Sequence, residues 1–111
     1  MVLCESNSII LCLEEQYTHS SLLPRCQKER AICISKVLET EYLSQAVLAF
    51  RAFFTGQKKK EDYSSEYYTA YSMLIKEMLR WDRMLEGRNY IMGSQFTLAD
   101  ISLACLLGLI E

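Results

Sequence analysis

The sequence predicts a mainly α, helical-bundle fold, and three observations predict it. Apolar residues recur every three or four positions over two long stretches. The segment after Thr97 opens like a capped helix, and the one proline, Pro24, stands in a break between periodic segments. With 111 residues, half of them hydrophobic and 23% charged, the chain suits one globular core rather than a disordered segment. Its net charge of −2 supplies no basic footprint for nucleic acid or an anionic membrane.

Met1 to Cys4 reads as the end of a strand. Ser6 then offers an N-cap, and Asn7 to Gln16 reads as a helix with Ile9, Ile10, Leu13 and Tyr17 on one face. The apolar stretch from Ile9 to Leu13 is too short to span a bilayer, and Glu5 interrupts the N-terminus too early for a signal peptide. Thr18 to Pro24, small polar residues followed by two leucines and the proline, reads as a linker.

From Gln27 the pattern is helical up to Thr55-Gly56. Ala31, Ile34, Leu38, Tyr42, Val47, Phe50 and Phe53 form its expected apolar face, and Gly56 is its stop signal. Gln57 to Asp62, with the run Lys58-Lys59-Lys60, reads as a solvated loop. Tyr67, Tyr71, Leu74, Met78, Trp81 and Leu85 then keep to a single helical stripe, read as core rather than as a cofactor-binding aromatic box. Gly87 falls where a C-cap glycine belongs, and two long amphipathic helices so connected should pack antiparallel.

Thr97 stands three residues before Asp100, the spacing at which each side chain satisfies the other's free backbone N–H at a helix start. Asp100 also puts negative charge in the first turn, where the helix dipole favours it. Phe96 and Ile101 occupy staple positions, and Gly93 suits a preceding turn. Beyond the cap, Ile101, Leu103, Ala104, Leu106, Leu107, Leu109 and Ile110 leave almost no polar face, which calls for burial all round. Two amphipathic helices can cover only one side of it. Further chain or a partner is expected to cover the rest.

The five cysteines (Cys4, Cys12, Cys26, Cys33, Cys105) contain no C-x-x-C pair, and His19 is the single histidine, so no zinc site is expected. An odd count in apolar surroundings suits reduced, buried thiols in a cytoplasmic protein.

These segments resemble one family. Glu5-Ser6-Asn7-Ser8-Ile9, opening a helix that ends in Leu13-Glu14-Glu15-Gln16-Tyr17, resembles the acid-Ser-x-x-Ile segment that closes the glutathione site of cytosolic glutathione transferases. Ser21-Leu22-Leu23-Pro24 with Glu29-Arg30-Ala31 is similar to the family's linker and first helix of its all-helical domain. Tyr90-Ile91-Met92-Gly93 and Phe96-Thr97-Leu98-Ala99-Asp100-Ile101 are similar to its capping-box region. The resemblance implies residues 1–17 as a remnant of a thioredoxin-like domain, 18–24 as linker and 25–111 as a truncated all-helical domain.

It also implies glutathione as substrate, with no cofactor or metal, and a hydrophobic electrophile as co-substrate. Glu5 would hold the glutamyl ammonium, and Ser6 the α-carboxylate. The family's usual homodimer and cytoplasmic location follow as expectations. Its activating residue and cis-proline loop lie upstream of the matched segments. Thiolate activation needs a donor at the sulfur, so the 111-residue chain is expected to be inactive alone. A non-catalytic, transferase-like interaction module is the alternative. Thr97 and Asp100 are assigned a folding role only.

Overall fold

The computed structural model describes residues 5–17, 19, 21–55 and 65–108. The expected strand end at Met1 to Cys4, the stop at Gly56, the loop from Gln57 to Asp62 and the terminal residues from 109 onward lie outside the described residues. Among the described residues four helices follow in order: α1 (Ser6–Gln16), α2 (Gln27–Arg51), α3 (Ser65–Leu85) and α4 (Leu98–Leu107). The mainly helical prediction holds.

Helix α2 is the spine, since both α3 and α4 pack against it. It buries Cys33, Val37, Leu43, Ala46 and Val47, which join Leu74 and Trp81 of α3 and Leu98, Ala99 and Leu103 of α4 in one core. Each fully buried Val or Leu contributes roughly 1.5–3 kcal/mol. The buried Thr40 hydroxyl donates to the Val37 carbonyl at 2.6 Å, so it enters the core satisfied.

The expected face of α2 needs correction in its first half. Leu38 is 53% exposed and Tyr42 61%, while Ala31 is exposed too. This helix carries two apolar stripes, and periodicity alone could not choose between them. The Cys33–Val37 stripe meets the partner helices. The Arg80 guanidinium stands over the exposed Tyr42 ring, 5.9 Å from its centre, and Arg80 is held by Glu77 at 3.1 Å. The helix also ends earlier than expected. After Arg51 the chain tightens into three-residue bonds, Phe53 N–H to the Phe50 carbonyl at 3.2 Å and Phe54 N–H to that of Arg51 at 2.9 Å. Phe50 and Phe53 thereby reach the Tyr67 ring of α3, at 5.7 and 5.4 Å between centres.

The α3 stripe is largely as expected. Leu74 and Trp81 are buried and Met78 and Leu85 half-buried, with Ala70 joining them. Tyr71 is exposed, stacked at the edge on Tyr67. Gly87 adopts φ +72° just past the helix, as a C-cap glycine does, and Gly93 adopts φ +104° in the turn that Tyr90 and Gly93 close by paired backbone bonds.

Helix α4 is not buried all round. Leu98, Ala99, Ser102 and Leu103 face the core, whereas Ala104, Cys105 and Leu107 are exposed. Between α3 and α4, over α2, lies an apolar groove of about 370 Å³ lined by Leu43, Ile75, Leu79, Trp81, Leu103 and Leu107. The expectation of buried cysteines also fails in part. Cys12, Cys26, Cys33 and Cys105 are free thiols, but only Cys33 is buried. Among the described residues no helix is long and apolar enough to cross a membrane, and no group of three His, Cys, Asp or Glu side chains is placed to hold a metal.

Candidate functional site at the start of the first helix

The first helix begins one residue earlier than expected. Glu5, not Ser6, is the N-cap, with extended backbone (φ −94°, ψ 131°) and its carbonyl accepting the Ile9 N–H at 3.1 Å. Ser6 is therefore the first helical residue. A helix start leaves its first N–H groups outside the intrahelical ladder, where they favour an anion. At α1 no side-chain hydrogen bond from Glu5 caps them, and Glu5 and Ser6 are both exposed. Glutamate is not among the side chains favoured at an N-cap, which are Ser, Thr, Asp, Asn and Gly.

The apolar face of α1 also differs from expectation. Ile9, Leu13 and Tyr17 are 42–59% exposed, whereas Ile10 and Leu11 pack on the core. Two polar contacts that sequence reasoning missed fix this rotation. Asn7 donates its side-chain N–H to the Val37 carbonyl at 3.3 Å, tying the first turn to α2. Glu14 turns inward and is buried, accepting the Leu22 N–H at 3.0 and 3.1 Å and the Ser21 hydroxyl. The first turn of α1 also borders a small cleft of about 140 Å³, shared with Thr40 and Ser44 of α2 and Ser102 of α4.

A signal for Glu14 was present in the sequence. Acidic residues in the last turn of a helix oppose its dipole, and α1 has no basic residue there to offset them. An acid kept at such a place points to a partner elsewhere.

The second helix start is built in the opposite way. Thr97 is fully buried, and it forms a capping box with Asp100. Asp100 Oδ2 accepts the Thr97 N–H at 2.9 Å, while Oδ1 accepts the Ile91 N–H at 2.9 Å. One carboxylate thus joins α4 to the turn at Tyr90–Gly93. Phe96 is half-exposed, its ring set edge-on against Tyr90 at 5.8 Å. The Leu98 N–H donates to the Leu22 carbonyl at 3.0 Å, which links α4 to the linker.

No family model matches the chain. Among solved structures it is similar to a glutathione transferase from Burkholderia graminis, determined with two glutathione molecules bound per protein subunit. The likeness has a TM-score of 0.82 at 23% identity, and it covers 100% of this chain and 48% of that one. The chain thus spans about half the length of the structure it matches, and over that length it has the helical fold of a glutathione transferase.

Proposed function

We propose that the chain carries the glutamyl-binding end of a glutathione site, on the scaffold of a transferase that conjugates glutathione to electrophiles. The observation that supports this reading is the open first turn of α1, with Glu5 and Ser6 both exposed and no side-chain hydrogen bond from the cap residue. In the proposed mode the glutamyl α-carboxylate takes the N–H groups of that turn and the Ser6 hydroxyl, and the Glu5 carboxylate pairs with the ammonium. The outward stripe of Ile9, Leu13 and Tyr17 supports it further, because a helix with apolar residues on two sides suits a place between two layers, as in a thioredoxin-like domain.

The reading gives residues of this chain the recognition of glutathione and assigns none of them to activation of its thiol. Binding without turnover is the expected behaviour of the 111-residue polypeptide. A cytoplasmic homodimer acting on a hydrophobic electrophile belongs to the same proposal for the parent activity. The test is an NMR titration with millimolar glutathione. Shifts should concentrate at the amides of residues 6–8, and Ser6→Ala and Glu5→Gln should each weaken binding by about tenfold, the scale of one charge-assisted hydrogen bond. Unshifted amides in that turn would sink the reading.

The second reading, a non-catalytic interaction module, is favoured by the apolar groove between α3 and α4, which contains neither Glu5 nor Ser6. Retention on immobilised glutathione separates the two, since a docking module need not bind it.

A further inference from the structure

Glu14 breaks a local rule without an evident local gain. It stands in the last turn of α1, where a negative charge opposes the helix dipole, and it is 7% exposed in a protein whose other described acidic side chains are half-buried or exposed. What it gains is outside the helix. Its two oxygens take the Leu22 N–H, and one also takes the Ser21 hydroxyl. Leu22 passes the connection on, since its carbonyl accepts the Leu98 N–H in the first turn of α4. Few residues of α1 lie close to another helix, and α2 packs chiefly on α3 and α4. Among the described residues α1 makes two polar contacts with the rest: Asn7 on Val37 near its start, and Glu14 on the linker near its end.

We infer that Glu14 is a positioning residue that sets the direction of α1 against the start of α4, and so sets where Ser6 stands. The geometry is that of a lever. Eight residues of helix separate Glu14 from Ser6, about 12 Å at 1.5 Å per residue. A small rotation at the linker end moves the N-terminal turn against the single Asn7–Val37 hydrogen bond that ties that turn to α2. A misplacement of about 1 Å is enough to weaken an oriented polar contact severely. Ser6's role in holding a carboxylate rests on the function proposed above; the coupling between Glu14 and α4 does not.

Amide hydrogen exchange and a glutathione titration on the 111-residue chain test both parts. In Glu14→Ala the Leu22 and Leu98 amides should exchange roughly tenfold faster, the scale of a lost bond to a charged acceptor. Ile91, held by Asp100, should keep its rate, and glutathione binding should fall by about tenfold. Glu14→Gln keeps the shape and one acceptor oxygen, so it should recover part of each effect. Ser6→Ala should weaken glutathione binding and leave Leu98 unchanged.

An unchanged Leu98 rate in Glu14→Ala overturns the inference. So does equal acceleration of Leu98 and Ile91 in both Glu14 variants, which would mean general loosening. Full glutathione affinity in Glu14→Ala, alongside its loss in Ser6→Ala, overturns the lever. If wild-type chain does not bind glutathione, the reading of Ser6 fails, and the exchange rates alone decide the role of Glu14.

Discussion

The starts of α1 and α4 present the same physical problem and solve it in opposite ways. Each leaves backbone N–H groups at the positive end of a helix dipole. At α4 the first-turn donors are satisfied within the protein: the Leu98 N–H goes to the Leu22 carbonyl and the Asp100 N–H turns back to the buried Thr97, while the Asp100 carboxylate takes the Thr97 and Ile91 N–H groups. At α1 the cap residue is Glu5, which makes no side-chain hydrogen bond to the turn and is exposed. A closed start stabilises a fold, whereas an open one keeps its attraction for an anion from outside. The difference between the two teaches that a Ser or Thr near a helix start has no fixed role until its burial and partners are known.

The largest effect that could break this contrast is expected at the closed end. Asp100→Ala removes two hydrogen bonds to a charged acceptor and leaves two backbone N–H groups beside a buried Thr97. A loss of about 2–4 kcal/mol in unfolding free energy should follow, read from urea titration. Asp100→Asn can keep one acceptor and should recover about half of it. A loss under about 0.5 kcal/mol in Asp100→Ala would mean that the box does not organise the fold. Such a result would erase the distinction drawn between the two starts.

At the open end, Ser6→Ala should do the reverse. Glutathione affinity should fall by about tenfold while unfolding free energy moves by less than about 0.5 kcal/mol, as for an exposed position away from packing. Between these lies Gly87→Ala. The residue has φ +72° and a methyl group there would meet nothing within 4 Å, so only backbone strain is at issue. A cost of about 1 kcal/mol is expected, with no change at either helix start.

How much of this contrast could be read from the sequence follows from the range of the interactions. The capping box was legible because its partners stand three residues apart and serve each other. The glycines at 87 and 93 were legible for the same local reason, and both adopt positive φ. The α3 stripe was legible because one apolar face dominates it, with Leu74 and Trp81 at its centre. The inward face of α2 was not, because Val37 and Leu38 are equally apolar neighbours and only the position of α3 and α4 selects the former. The rotation of α1 was missed for a related reason. Hydropathy favours Leu13 over Glu14 as the inward residue, yet the linker amide at Leu22 makes the carboxylate the better fit. Apolar periodicity reports what wants to be buried, and it is blind to long-range polar partners. The second oxygen of Asp100 shows the same limit, since its bond to Ile91 spans nine residues and crosses a turn.

The smallest expected effect asks whether the open end can be closed. Glu5→Asp keeps the charge at the helix start but shortens the side chain to the length that reaches the N–H of the second or third helical residue, Asn7 or Ser8. Helix α1 should gain about 0.5–1 kcal/mol, seen as slower exchange of those amides. The same carboxylate would then compete with an incoming one for the same donors, so glutathione should bind more weakly by a factor of about three to five. Slower exchange with unchanged affinity would mean that the ligand's carboxylate does not use these N–H groups. Faster exchange would mean that Glu5 already caps the helix in solution. Only slower exchange together with weaker binding makes the open turn at Glu5 and Ser6 the property on which recognition depends.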